Sequence, residues 1–181
     1  MFSAHGIRAV GIDRIIGEAG VARASLYSSF GSKDGLVTAY LDRLDERDRL
    51  RWEGAVDGLD APVDRVYAVV ALAIASAPVR NFRGCQYLNA ATEFPGELDG
   101  ILTPVSRHRA WLRARLTALL DDAGYTDTVR LATRIQMIYD GALAGSKFDS
   151  SEAPLQFGRD MVAELLGQTP LVQPAHLPPT Q

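Results

Sequence analysis

The sequence predicts an all-α chain, with three short helices at the N-terminus followed by a larger helical bundle. Three observations carry this. Apolar residues recur at i, i+3, i+4 and i+7 over most of the length. Gly and Pro punctuate the periodic stretches where helices start and stop. No stretch alternates apolar and polar residues as a half-buried strand would, and no internal repeat is visible.

Composition bounds the rest. The 181 residues suit one domain, or one plus a small appendage. A hydrophobic share of 47% supports a sizeable core. A net charge of −3 excludes a global polycation, so any nucleic-acid contact must come from a local patch. The single Cys excludes an internal disulfide framework and fits a reducing cytoplasm. The N-terminus lacks the basic-then-apolar pattern of a signal peptide. The most apolar stretch, Val66 to Ala77, is shorter than the roughly 20 residues a bilayer requires, so no membrane partner is expected.

Ile12, Ile15, Ile16 and Ala19 form one helix face, and Gly20 stops that helix. Leu26 and Phe30 lie one turn apart on the next, which Gly31 ends. Ser32 can cap a further helix with the stripe Val37, Tyr40, Leu41 and Leu44. The charge run Asp42 to Arg49 is expected to be its solvated face. Gly54, Gly58 and Pro62 mark a break. Pro62 opens a helix with Val63, Val66, Tyr67, Val70 and Ile74 on one stripe and Val69, Leu72 and Ala73 on others, so it should be central. A short helix is expected around Tyr87 to Phe94, and a long one from about Pro104 to Ala123 carrying Trp111, Leu112, Leu116, Leu119 and Leu120. Asp127 or Thr128 starts the next, and Pro154 begins a last one ended by Gly167. The tail "QTPLVQPAHLPPTQ", residues 168–181, reads as disordered.

A helix, a Gly turn and a second short helix make a helix-turn-helix, a unit that places its second helix in the DNA major groove. Small and hydroxylated side chains there let the backbone approach the bases. Arg23, Ala24, Ser25, Tyr27, Ser28 and Ser29 supply that surface. Tyr27 can donate to a phosphate. Lys33, at the start of the following helix, can hold a phosphate together with free backbone N–H groups. A plain surface hairpin of helices is the competing explanation of the spacing.

The residue string goes further than the spacing. "IIGEAGVARASLYSSFGSKDGLV" resembles the DNA-binding domain of TetR/AcrR-family transcriptional regulators through Ala19-Gly20-Val21, Leu26-Tyr27, Phe30, Ser32-Lys33 and Leu36-Val37. The resemblance covers roughly residues 2 to 41. It implies a homodimeric, cytoplasmic repressor that binds double-stranded operator DNA through residues 1–46. Residues 47–167 would then bind a small-molecule effector and dimerise. Effector binding would release the operator. The sequence differs from the family pattern at Gly11 and Ala22, where members usually carry Ser or Thr at helix starts. It also begins almost inside the first helix, without the basic stretch that members carry upstream. That short start leads one to expect either a shortened gene product or a weakened binder, with Phe2 packing on Ile15 or Leu41.

For the effector pocket the candidates are Tyr67, Phe82, Tyr87, Asn89, Glu93, Trp111 and Tyr139, with ordinary core packing as the alternative for each. Glu93 would bind a polar ligand group or pair with an Arg. For the dimer interface they are Ile135, Ile138, Ala142, Gly145, Phe157, Met161 and Leu165, with close packing inside one chain as the alternative. Cys85 is a redox or ligand contact, or a buried inert thiol. His108, between Arg107 and Arg109, should sit on a helix surface. His5, His108 and His176 show no metal spacing, so neither metal nor cofactor is expected. No acid–base constellation appears, which argues against an enzyme or a helical small-molecule carrier using Cys85. An activator, or a regulator signalled by a protein partner, remains a rival within the DNA-binding class.

Overall fold

The computed structural model describes residues 1–96 and 100–167; the Pro-rich tail expected to be disordered lies outside the described residues. Among the described residues there are nine helices and no strand: α1 (Phe2–His5), α2 (Ile12–Ala19), α3 (Arg23–Phe30), α4 (Lys33–Val56), α5 (Pro62–Ser76), α6 (Gln86–Glu93), α7 (Thr103–Asp122), α8 (Thr128–Asp149) and α9 (Ala153–Leu165). The all-α expectation holds, and the sequence-based helix ends fall close to the observed ones. Gly54 does not break α4, which continues to Val56. No described helix is long and apolar enough to cross a membrane.

The chain divides into two units. The first comprises Met1–Arg51 and Cys85–Leu112. Segment 1–46 therefore does not stand apart from everything after it. Ile7 and the α4 stripe Val37, Leu41 and Leu44 share one buried cluster with Tyr87, Ala90, Phe94, Leu102 and Val105. A second, small cluster consists of Val10, Ile15 and Leu26. Phe2 packs against both clusters, as expected of a residue facing Ile15 or Leu41. Its ring also meets Tyr40 edge-on at 5.3 Å. Helices of four and eight residues are too short to persist alone, so α1, α2 and α3 owe their order to these contacts.

α2 ends at Gly20 in the left-handed conformation, which only Gly adopts without strain and which turns the chain into α3. α4 begins directly behind α3 because Gly35 has no side chain: a Cβ there would overlap the Phe30 carbonyl oxygen. Ser32 caps α4, its Oγ accepting the Gly35 N–H at 3.0 Å.

The second unit comprises Trp52–Gly84 and the described residues from Arg113 onward. α5 is its most apolar helix, with Val66, Tyr67, Ala68, Val69, Val70 and Ala73 all buried, as expected of a central element. α9 packs on α8 and on α5. Gly158 brings α9 onto α8: a Cβ at that position would lie 2.7 Å from the Ala142 Cβ. The Ser146 hydroxyl donates to the Ser151 carbonyl at 2.7 Å and fastens the turn between the two helices. Tyr125 donates to the Leu166 carbonyl at 3.0 Å at the end of α9.

Candidate nucleic-acid interface

α3 buries only Leu26. Arg23, Ala24, Ser25, Tyr27, Ser28 and Ser29 are all exposed, on a helix whose first turn contains no acidic residue. Six of the seven residues expected at the interface thus line one open helix. The seventh, Lys33, opens α4 and is half-buried; its Nζ donates to the Arg8 carbonyl at 3.3 Å. Arg23 is ion-paired with the exposed Asp13. Arg14 pairs with Glu18 at 2.7 Å and holds that carboxyl below its ordinary pKa. Asp13 and Glu18 are thereby partly neutralised. Gly11 and Ala22 stand at the starts of α2 and α3 in extended conformation, and neither provides a side-chain cap.

The first unit also contains a polar cluster that the sequence did not reveal. Asp45 is buried, and Arg49 grips its carboxylate with two hydrogen bonds of 2.8 and 2.9 Å. His108 Nδ1 lies 2.9 Å from Oδ1, and Arg107 Nε donates to Oδ2 at 3.4 Å. Tyr87 stacks on His108 at 3.9 Å and donates its hydroxyl to Asp48 at 3.0 Å. The Arg49 guanidinium lies over Trp111. Burial alone would raise the Asp45 pKa, but the hydrogen bonds from Arg49 and His108 more than offset it, and the carboxyl is held low. Burial pushes His108 below its ordinary value, against the opposing pull of Asp45. The neutral imidazole then donates from Nδ1.

This corrects two expectations. His108 is not a surface residue; its side chain is 12% exposed. The run Asp42 to Arg49 is not wholly solvated. A charge sitting on an apolar stripe was the available signal, because Asp45 and Asp48 continue the spacing of Val37, Leu41 and Leu44.

The expected pocket residues are spread over both units. Tyr87, Asn89, Glu93 and Trp111 belong to the first; Tyr67, Phe82 and Tyr139 belong to the second. The Glu93 carboxylate accepts the backbone N–H groups of Ile7 and Arg8, in place of the Arg side chain expected as its partner within the chain. Carboxylates satisfy backbone donors as readily as guanidinium groups, and a sequence does not show which donors fold brings near. Tyr67 is buried, and its hydroxyl has no hydrogen-bond partner among the described residues. Cys85 is half-buried rather than enclosed, and its Sγ accepts the Leu88 N–H at the start of α6. No group of three or more metal-ligating side chains occurs among the described residues.

The expected interface residues of α8 and α9 fall into two sets. Ile135 and Ala142 are buried within the chain, and Gly145 faces Pro154 of α9. Gly145 and Ala142 bring α8 close to Pro154 and Gly158 of α9, and Ala142 also borders the open groove between the two helices. Phe157 and Met161 point outward at 68% and 52% exposure, beside Met137 at 68%. Together with Ile138, Gly141 and Pro154 they line an open, mostly apolar groove of about 510 Å³. Leu165 is half-buried. Met137 and Gly141, one turn apart, are thus the outward positions of α8 that periodicity did not select.

The comparisons agree with this architecture. The model described as "Bacterial regulatory proteins, tetR family" matches residues 1–40. A solved TetR-family transcriptional regulator from Streptomyces coelicolor is 35% identical, covers 91% of this chain and 89% of its own, and superposes with a TM-score of 0.79. The regulatory protein TetR from Rhodobacter sphaeroides has the same fold at 22% identity, with coverage of 91% and 92% and a TM-score of 0.80. So does a TetR-family regulator from Cytophaga hutchinsonii at 12% identity, with coverage of 95% and 90% and a TM-score of 0.81. No protein of curated function matches the chain. With the helix-turn-helix in place at α2 and α3 and a relative of 35% identity along most of its length, the chain belongs to the TetR family of transcriptional regulators.

Proposed function

We propose that this regulator is a homodimeric repressor that leaves its operator when a small molecule binds. The observation that carries the DNA half is the surface of α3: small, hydroxylated, free of acidic side chains and buried only at Leu26. In a major groove Arg23, Ala24, Ser25, Ser28 and Ser29 face base edges and set sequence preference. Tyr27 and Lys33 contact phosphates and fix the register. Lys33 exchanges its present acceptor, the Arg8 carbonyl, for a phosphate oxygen, which is the stronger charge-assisted partner.

The dimer half rests on the apolar groove of α8 and α9. Met137, Phe157 and Met161 expose large apolar surface that a second copy covers by two-fold symmetry. Two copies present two α3 helices to half-sites about one helical turn apart. The Tyr67 hydroxyl, without a hydrogen-bond partner among the described residues and set in the apolar surroundings of α5, supports an effector site in the second unit. Phe82 and Tyr139 are the further candidates there. Repression follows from occupancy of the operator. Release requires that the effector bind the DNA-incompetent state better than the DNA-bound one.

A mobility-shift titration on duplex DNA flanking the gene tests the proposal. Saturable, salt-sensitive retardation with two half-sites protected supports it. Absence of any preference over unrelated duplex overturns it.

A further inference from the structure

Glu93 is the last residue of α6, and its carboxylate is aimed at the turn between α1 and α2. Oε1 accepts the Ile7 N–H at 3.0 Å, and Oε2 accepts the Arg8 N–H at 2.6 Å. Gly6 makes room for it: its φ is +87°, and a Cβ there would sit 3.3 Å from Oε1. The next residue along α6's exit, Phe94, takes the Arg8 guanidinium over its ring at 4.8 Å. Lys33, at the start of α4, donates to the Arg8 carbonyl. The backbone at Arg8 is therefore gripped from the end of one helix and the start of another.

α6 is itself fixed at its opposite end. Tyr40 of α4 donates to Gln86 at 2.6 Å, and Tyr87 donates to Asp48 of α4 at 3.0 Å. Glu93 thus hangs from a helix pinned to α4. The turn it holds leads directly into α2 and the recognition helix. α1, four residues long and without a fully buried residue, anchors that turn chiefly through Phe2. A carboxylate close to a helix-turn-helix repels DNA, so its presence calls for a compensating role. Two charge-assisted hydrogen bonds to consecutive backbone N–H groups supply one.

We propose that Glu93 is a positioning residue for DNA binding: by clasping the Ile7 and Arg8 amides it sets the turn that carries α2, and through it the orientation of α3. This rests on the reading of α3 as the DNA-contacting helix. Glu93 touches no DNA; it acts through the backbone of residues 7 and 8.

Glu93→Gln tests it, because the amide keeps the shape but offers one acceptor oxygen and places a donor against a donor. The first measurement needs no DNA. In ¹H–¹⁵N spectra of the full chain, the Ile7 and Arg8 amides should shift and exchange faster, with changes spreading into Arg23–Phe30. Resonances of α8 and α9 should stay in place, which excludes general unfolding. Changes confined to residues 6–8 would overturn the proposal. The second measurement uses the duplex that the wild-type protein selects from a randomised pool. Removing a negative charge near a polyanion should by itself tighten binding. Positioning requires the opposite sign: roughly tenfold weaker binding, from the loss of about one charge-assisted hydrogen bond, at an unchanged salt slope. Equal or tighter binding would overturn it. Glu93→Asp, which keeps both acceptor oxygens on a shorter stem, should fall between wild type and Glu93→Gln and serves if the Gln variant does not fold. If no duplex is selected, the DNA-binding reading fails, and the spectra alone decide whether Glu93 orients α3.

Discussion

α3 and the outer face of α8 and α9 both leave most of their surface uncovered, yet they do so in opposite chemistry. α3 presents Ser, Ala and Arg, and its exposed large residues, Tyr27 and Phe30, are only 43% and 39% accessible. The α8–α9 face presents Met137 and Phe157 at 68% and Phe148 at 86%. Water solvates the first surface at little cost. Exposing the second costs about 25 cal/mol for every Å² of apolar area. The polar surface suits a hydrated, charged partner that must be released. The apolar one suits a permanent partner of the same kind as itself. On the proposed function one chain would carry a reversible and a standing interface, told apart by side-chain chemistry rather than by secondary structure.

The largest effect should come from spoiling the apolar face. Phe157→Glu combined with Met161→Glu puts two like charges on the groove without touching the α8–α9 packing at Gly158. We expect monomers in sedimentation and roughly thousandfold weaker operator binding, because the two half-sites are no longer engaged together. A wild-type chain that is monomeric at micromolar concentration would collapse the contrast between the two surfaces.

Next in size is the buried polar cluster, which belongs to neither surface. Asp45→Ala strands Arg49 and His108 and should cost about 3 kcal/mol of stability in chemical denaturation. The association state should not change. The cluster also sets a pH dependence. The His108 pKa lies below its ordinary value of 6.5 in the folded chain, so the unfolded chain binds the proton first. Stability is full above that ordinary value and is lost as pH falls below it. The low Asp45 pKa adds a further loss at more acid pH. Melting temperature against pH should therefore slope downward below the ordinary histidine range. His108→Gln, whose amide can still donate to Asp45, should flatten that part of the curve.

Smaller changes sharpen the polar side of the comparison. Lys33→Ala should weaken operator binding roughly tenfold and lower the salt slope by about one unit, read from titrations at several salt concentrations. Tyr27→Phe should weaken it a few-fold with sequence preference intact, whereas Ser28→Ala should alter which bases are preferred. The smallest expected effect is a gain. Ala22 stands in the extended conformation of an N-cap without a side chain to cap with. Ala22→Ser should stabilise the chain by about 1 kcal/mol and provide a hydroxyl for phosphate, visible as a higher melting temperature and slightly tighter binding.

The sequence by itself determined the helices, their order and the exposed surface of α3. These are local properties. Helical periodicity, Gly20 and Gly31 as stops and Pro62 as a start act within a few residues. The residues proposed to face DNA, Arg23 to Ser29, lie on one short helix that buries a single side chain, so nearly all of it had to be surface. What the tertiary structure decided involves partners far apart in the chain. Asp45 meets His108, Tyr87 meets Asp48, and Glu93 meets the amides of Ile7 and Arg8 only because α4, α6, α7 and the turn between α1 and α2 pack together. On α8 the sequence could mark an apolar helix but not which side faces its own chain. Ile135 lies on the inner side and Met137 and Gly141 on the outer, with Ala142 at the border where it meets Gly158. Periodicity fixes which residues share a face; only packing fixes what that face meets.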